Sequence, residues 1–576
     1  MFNENQLKKI LVETKTVGKK DLELYLKEAE KRNQKLEEYL YSQKIINDTQ
    51  LYQTIASYFN LPFINLKNET VRKDILFLIP EPIAVTHKII SFDKNDKELK
   101  IASVSPENLQ IFEFLAKKTG LDIKIHITTP EGIADVLKNY HKGLRAEFSD
   151  ITKEKESDNK DGSDIKLKEL AHDLPVIRIV DTLLEYAIFE NASDIHIEPT
   201  EKEVLVRYRV DGILRNVMTL PKSAHAGIVA RIKILANLKI DEHRLPQDSR
   251  FKIKTNEYKV SFRVSSVPTY DGEKIVLRVL NEQTGIIDLD RLGFEKKSLE
   301  KIKRNIKKPH GMILVTGPTG SGKTTTLYSI LHILNSPEVN ITTIEDPIEY
   351  RMPGLNQSQV NPKIGYTFAS GLRSFLRQDP DIIMVGEIRD KETAEISVHA
   401  ALTGHLVLST LHTNDAPTTL PRLAEMEIPS FLISSTVNLI IAQRLARKIC
   451  QECIESYTLN KEEIEKLEKQ IHFESMLEML EKEGLITKKQ NKESLLFYRG
   501  KGCKKCNKSG YKGRIGLYEV LEVTPEISEL IIKGANSNEI NDKAKSQKMI
   551  TIVQDGFIKA KTGITTIEEI LRVTKD

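Results

Sequence analysis

Over the first 66 residues apolar positions recur in step with a helix, and the pattern repeats with an offset of 29. Leu7 matches Leu36, Leu11 matches Leu40, Val17 matches Ile46, Leu22 matches Leu51 and Leu26 matches Ile55. Each copy predicts a short helix pair, and stacked copies would share one core. Leu61-Pro62-Phe63-Ile64-Asn65-Leu66 closes that unit. From Glu69 to Tyr140 the pattern is mixed, with strand-like Glu98-Leu99-Lys100-Ile101-Ala102 and Ile123-Lys124-Ile125-His126-Ile127. It then lapses: the charged run Lys153 to Asp164 holds nothing that could pack, so a solvated linker is expected there.

Apolar order resumes at Leu174, where Val180, Leu183, Leu184, Ala187 and Ile188 make one helical face. Ser193 to Pro199 and Val204 to Gly212 read as hairpin strands, and Tyr258 to Val264 and Lys274 to Leu280 as two more. Leu289 to Phe294 reads as a hinge. The division that follows is residues 1–145, an N-terminal module with a helical repeat and then mixed α/β, and 146–168, a charged linker. Residues 169–290 form a second, smaller α/β domain, and 291–576 a nucleotide domain carrying a cysteine-bounded insertion at 450–506.

The last domain carries the chemistry. Met312-Ile313-Leu314-Val315 predicts a buried strand, and Leu327, Ile330, Leu331 and Leu334 predict a helix. Between them Gly317-Pro318-Thr319-Gly320-Ser321-Gly322-Lys323-Thr324, with Thr325 next, fits G-x-x-x-x-G-K-T. Glycines let backbone N–H groups turn toward phosphate oxygens, and the helix N-terminus adds its dipole. Lys323 can reach the β- and γ-phosphates of a bound nucleotide, and the hydroxyl of Thr324 can ligate Mg²⁺. Ile341 to Ile344 is a core strand running into Glu345-Asp346-Pro347-Ile348-Glu349. Asp381 to Glu387 is a second strand ending in a carboxylate, and His405 to Leu411 a third, with His405 and His412 near its two ends. Open α/β sheets bind ligands at strand C-termini, which suits these acids to magnesium and water.

Composition narrows the class. With 576 residues, 40% hydrophobic and 29% charged, the chain is expected to be soluble and multidomain. No apolar run approaches the roughly 18 residues a membrane span needs, and the polar start lacks a signal core. A net charge of +4 with interspersed signs argues against a dominant nucleic-acid surface. The four cysteines form two knuckles, Cys450-Gln451-Glu452-Cys453 and Cys503-Lys504-Lys505-Cys506, a thiolate set for structural zinc. The gap between them, residues 454–502, holds a charged helical segment, Lys461 to Glu483, expected to stand out as an insertion.

From Leu174 to Asp576 the sequence resembles the traffic ATPases of bacterial type II secretion and type IV pilus assembly. Ile344 to Glu349 resembles their aspartate box and Met384-Val385-Gly386-Glu387-Ile388-Arg389-Asp390 their Walker B. Thr403 to Asn414 resembles their histidine box, and Arg244-Leu245-Pro246-Gln247-Asp248-Ser249-Arg250 their arginine-rich turn, with Ser249 where glycine is usual. The resemblance implies a RecA-like ATPase domain and a cytoplasmic homo-hexamer at the inner membrane. Its partners there would be a membrane platform protein and a membrane-anchored adaptor. ATP hydrolysis would drive pilin or pseudopilin assembly, as in pilus extension, type II secretion or DNA uptake. It implies Glu349 as the acid activating water, with Glu345 the alternative, and Glu387 binding Mg²⁺ through water. His405 and His412 would sense the γ-phosphate, Arg263 and Arg278 act as inter-subunit arginine fingers, and Arg373 and Arg377 contact phosphate. The four-cysteine motif is typical of the assembly and secretion members and absent from the retraction relatives. Many relatives bind cyclic di-guanylate through repeats beginning Arg-Leu-Gly. Here the repeats begin Asn5-Gln6-Leu7-Lys8 and Lys35-Leu36-Glu37-Glu38, so a platform-binding module without that ligand is expected. The rival reading is a nucleic-acid or conjugation-type translocase, which would want stacking aromatics; aromatics are 6%, with no tryptophan.

Overall fold

The computed structural model describes residues 4–575 apart from 33, 35, 44, 68, 70, 80, 108, 138–173, 255–258, 282–286, 472 and 488–491. The linker expected at 146–168 therefore lies outside the described residues. The chain divides into two compact units, Met1–Asn281 and Glu282–Asp576.

The first unit opens with helices Glu4–Glu13, Lys19–Lys31, Leu36–Ser42 and Asp48–Tyr58, two copies of a helix pair. Leu7, Leu11, Val17 and Leu22 are buried, as are Leu36, Leu40, Ile46, Leu51 and Ile55, while Leu26 is partly so. Strands β1 (Ile89–Lys94), β2 (Glu98–Ser103) and β3 (Asp122–Ile127) follow, β2 pairing antiparallel to β1 and parallel to β3. A six-stranded antiparallel sheet comes next, built from β4 (Asp194–Pro199), β5 (Glu203–Val210), β6 (Ile213–Pro221), β7 (Gln247–Lys254), β8 (Lys259–Thr269) and β9 (Gly272–Asn281). Its order is β6-β5-β4-β9-β8-β7. Ile195, Ile197, Val204, Val206, Val264 and Leu277 share one core with helices Leu174–Phe189 and His225–Leu235. The alternate positions, among them Asp194, Arg209, Arg263 and Arg278, therefore line the other face. Neither edge strand has a continuous apolar face: β6 buries only Leu220 and β7 only Phe251, which is why the hydrophobic pattern did not announce them. The arginine-rich turn runs directly into β7, so Ser249 and Arg250 are strand residues.

The second unit is a seven-stranded sheet with β10 (Gly311–Thr316), β11 (Ile341–Glu345), β12 (Leu355–Gln359), β13 (Ile382–Val385), β14 (Leu406–Leu411) and β15 (Val437–Ile449). After a two-stranded ribbon, β16 (Ile454–Thr458) with β17 (Leu496–Gly500), the chain adds β18 (Tyr511–Glu522). The order is β12-β11-β13-β14-β10-β15-β18, parallel throughout except for the β15–β18 pair. Every residue of β10, β13 and β14 is buried, as befits parallel strands covered on both faces.

Leu289 to Phe294 is packed into this unit rather than free to hinge. Leu289 and Leu292 are buried, Phe294 stacks on Tyr518 with ring centroids 3.7 Å apart, and the Tyr518 hydroxyl donates to the Leu292 carbonyl at 3.3 Å. Gly293 has φ +96°, and a Cβ there would sit 2.5 Å from the Ile515 side chain. The insertion likewise does not stand out. It forms helices Lys461–Gln470 and Phe473–Lys482, whose Ile464, Leu467, Phe473, Met476 and Leu480 join Phe557, Ala560, Ile567 and Ile570 in a core of their own. Among the described residues no helix is long and apolar enough to cross a membrane.

Candidate nucleotide site and metal centre

The phosphate loop follows β10 directly and ends at the helix Lys323–Leu334. Gly322 precedes that helix at φ +91° and Gly317 has φ +142°. A Cβ on Gly317 would lie 2.5 Å from the Gln443 carbonyl oxygen, so only glycine fits against β15. The Lys323 ammonium donates to the Gly317 carbonyl at 2.7 Å and to the Pro318 carbonyl at 3.3 Å. Burial pulls its pKa below the ordinary lysine value, opposed by the nearby Glu387 carboxylate and abetted by Arg444. A desolvated cation beside the N–H groups of a helix start is a strong anion receptor. Thr324 and Thr325 occupy the first turn, half-buried.

Two residues steady the loop that sequence reasoning passed over. Gln443 is buried on β15, donating from Nε2 to the Ser321 carbonyl at 2.8 Å and accepting from the Thr326 hydroxyl at 2.8 Å. Arg444 donates to the Asn414 side chain at 3.3 Å, and its Nη1 lies 3.3 Å from where a Gly317 Cβ would be. Their signal was a polar pair ending the apolar run Leu439 to Ala442, the same pattern that flagged Glu387.

The strand-end acids separate into two kinds. Glu345 is turned into the core: the Tyr328 hydroxyl donates to its Oε2, and Thr343 and Gln357 donate to its Oε1 at 2.6 and 3.2 Å. Burial raises its pKa, while those hydrogen bonds act to lower it. Glu349 lies beyond the strand and is half-buried. Glu387 follows β13 and accepts from Arg389 Nε at 2.8 Å, with His412 Nε2 at 3.2 Å from the same oxygen. Lys323, Glu387 and His412 thus belong to one cluster at the C-terminal edge of the sheet.

His405 does not join it. It stands at the N-terminal end of β14 beside Gly311, with Nδ1 2.9 Å from the Ala400 carbonyl oxygen. Because β10 and β14 run parallel in register, a whole strand length, roughly 20 Å, separates His405 from the loop. The two histidines of the box cannot both meet the same γ-phosphate within one chain. Arg373 lies on helix Phe368–Phe375 and pairs with Glu392 at 2.5 Å; Arg377 donates to the Arg373 carbonyl at 3.0 Å. Among the described residues neither is bonded to the phosphate loop. Arg263 and Arg278 belong to the first unit, on β8 and β9, directly opposite one another. Arg250 on β7 is opposite Arg263 and extends the row, a third member that sequence reading had left in a turn.

At the far end of β15 the four cysteine sulfurs lie within 4.8 Å of one another. Cys450 and Cys503 are 3.7 Å apart, Cys453 and Cys506 3.9 Å, and Cys503 and Cys506 3.7 Å. Zinc–thiolate bonds of about 2.3 Å give tetrahedral edges of about 3.8 Å, which these three separations match, so the set is compatible with zinc. The Cys503 and Gly510 backbone N–H groups point to the Cys506 sulfur at 3.1 and 3.3 Å, the outer contacts a thiolate ligand favours.

Comparison with known proteins bears on the same residues. Residues 169–572 match the family "Type II/IV secretion system protein", and residues 59–147 match the "MshEN domain". The type IV pilus assembly ATPase PilB of Myxococcus xanthus is 40% identical over 577 residues, 98% of each chain. The type II secretion system ATPase E of Vibrio cholerae is 46% identical over 410 residues, 71% of this chain and 77% of its own. Among solved structures the Yersinia pseudotuberculosis ATPase DotB superposes with a TM-score of 0.50 at 21% identity, covering 69% of this chain and 93% of its own, a likeness of fold. With its phosphate loop, its strand-end acids and most of its length matched, the chain belongs to the type II/IV secretion system protein family.

Proposed function

We propose that the chain is an ATPase that drives type IV pilus assembly, working as a ring of six copies against an inner-membrane platform. The observation that carries this reading is the full-length match. The pilus-assembly relative aligns over 98% of both chains, whereas type II secretion relatives align over 70% to 84% of this one. In this reading N–H groups of the loop and the Lys323 helix cradle the triphosphate, and Lys323 turns from its loop carbonyls to the phosphates. Thr324 and Glu387 hold magnesium, which supplies charge neutralisation on the transferred phosphoryl group. Glu349 orients the attacking water. The buried, triply hydrogen-bonded state of Glu345 supports that assignment over its rival. Arg250, Arg263 and Arg278 would be presented to the site of a neighbouring copy, where their charge stabilises the transition state.

The four cysteines are proposed to hold one structural zinc. The N-terminal module is proposed to dock on a membrane-anchored adaptor rather than to bind cyclic di-guanylate, because its repeats lack the arginine and glycine for that ligand. Titration of the full chain with that dinucleotide checks this, and saturable binding would overturn it. The main test is ATP hydrolysis by the purified chain together with co-purification of its platform protein. A chain that hydrolyses ATP yet neither assembles into rings nor retains the platform would sink the motor reading.

A further inference from the structure

The register of the six-stranded sheet lines up five charged side chains. Arg250 faces Arg263, Arg263 faces Arg278, Arg278 faces Asp194, and Asp194 faces Arg209. Directly opposed residues of antiparallel strands share a face, and like charges so placed repel. Asp194 is the single carboxylate of the row and, at 10% side-chain exposure, its deepest-set member; Arg278 is 50% exposed. Asp194 Oδ1 accepts from Arg278 Nε at 3.1 Å, and Oδ2 lies 3.4 Å from Arg209 Nε. The Ser193 hydroxyl donates to Oδ2 at 2.9 Å and fixes the carboxylate in turn. The grip on Arg278 is at Nε, the guanidinium nitrogen nearest the backbone, so both terminal nitrogens stay available for a phosphate oxygen pair.

We propose that Asp194 is a positioning residue of the shared nucleotide site, holding Arg278 extended for the phosphates of another copy. This rests on the reading of Arg278 as a residue that acts in trans. Without the carboxylate, Arg278 is left beside Arg263 with only repulsion to set its rotamer. Two effects of removing Asp194 oppose each other. Lost charge makes the row more positive and favours nucleotide binding; lost grip misplaces the guanidinium in the transition state. The arginines of the row face solvent, where screening holds the first effect to about a few fold in affinity, whereas misplacement of a catalytic group by about 1 Å can lower turnover by about 10². Positioning therefore dominates, and it acts on kcat.

Asp194→Asn keeps the volume and the acceptor for Ser193 while removing the charge. In the full-length chain we expect kcat to fall by about 10- to 100-fold, with KM for ATP unchanged or lower. Asp194→Glu should recover part of the loss. Mixing separates positioning from plain destabilisation. Asp194→Asn chains have an intact loop, so they should regain activity with Lys323→Ala chains, which bring an intact arginine row. They should not regain it with Arg278→Ala chains. Adding Asp194→Asn to Arg278→Ala should cause little further loss. Wild-type kcat in Asp194→Asn, alongside a slow Arg278→Ala, overturns the inference and leaves the shared site standing. So does an inactive Asp194→Asn that Lys323→Ala cannot rescue when Arg278→Ala can be rescued. Full activity of Arg278→Ala alone overturns the shared-site reading beneath it.

Discussion

At the scale of single residues, the site rests on a few groups whose surroundings fix their chemistry. Lys323 is a partly desolvated ammonium with loop carbonyls as partners, so a phosphate supplies the charge that it lacks. Lys323→Ala should abolish ATP turnover and weaken nucleotide binding, read by steady-state hydrolysis and by a fluorescent nucleotide. Glu345 and Glu349 should part company under the same conservative change. Glu349→Gln is expected to bind ATP normally, keep its melting temperature and slow hydrolysis by about 10² or more. Glu345→Gln should lower the melting temperature instead, because three donors lose a charged acceptor. Normal turnover in a folded Glu349→Gln ring would reverse the assignment. A third carboxyl should make the fold itself pH-sensitive. Glu519 on β18 is buried, accepts from the Ala416 N–H at 2.8 Å, and has its pKa raised to about 7 by burial, with Asp415 adding to the shift. A raised folded-state pKa means the stabilising balance is intact below the unfolded value, near 4.5, and is lost as pH rises to about 7. The loss is on the order of 3 kcal/mol at most. Thermal melts from pH 5 to 8 should slope downward to about pH 7, and Glu519→Gln should flatten that slope. An unchanged slope would remove Glu519 from the explanation.

At the scale of elements, the four-cysteine cluster predicts one zinc per chain. Metal analysis should give that ratio, and Cys503→Ser should lower it while destabilising the two-stranded ribbon β16–β17. A ratio near zero with intact, reduced cysteines would refute the site. The elements that bury both faces were the legible ones. Met312–Val315 of β10 and Ile382–Val385 of β13 are unbroken apolar runs that fall between polar clusters, so their ends, and with them Lys323 and Glu387, could be read from the sequence. The edge strands β6 and β7 were not legible, because a strand with one buried side chain leaves no period to detect. The insertion was misjudged for a related reason. Its helices carry many charges, but Ile464, Leu467, Phe473 and Met476 sit at helical spacing and find a partner surface far downstream on Phe557 and Ile570. His405 was placed correctly at the start of its strand; its γ-phosphate role came from the histidine-box resemblance, and within one chain a strand length separates it from the loop. Gln443 and Arg444 were missed because their strand, far downstream of the phosphate loop, was not connected with it.

At the scale of the whole molecule, activity should belong to the assembled ring, since the arginine row and the phosphate loop lie in different units of the chain. An arginine supplied in trans can raise the rate by about 10³ or more. Arg278→Ala chains and Lys323→Ala chains should each be inactive alone and recover partial hydrolysis when mixed, because some interfaces then combine a normal arginine row with a normal loop. Co-assembled mutants that never recover activity would overturn that mechanism. The long strand β15 carries a consequence of another kind. It touches the phosphate loop through Gln443, bears Cys450 just past its end, and is paired with β18 along most of its length. At about 3.3 Å per residue those two points stand about 23 Å apart on one stiff, pleated rod. A load hung on the cysteine knuckle would therefore be passed along β15 toward the phosphate loop, and removing zinc held by the cysteines should change the measured rate of ADP release, even though no cysteine comes near the loop.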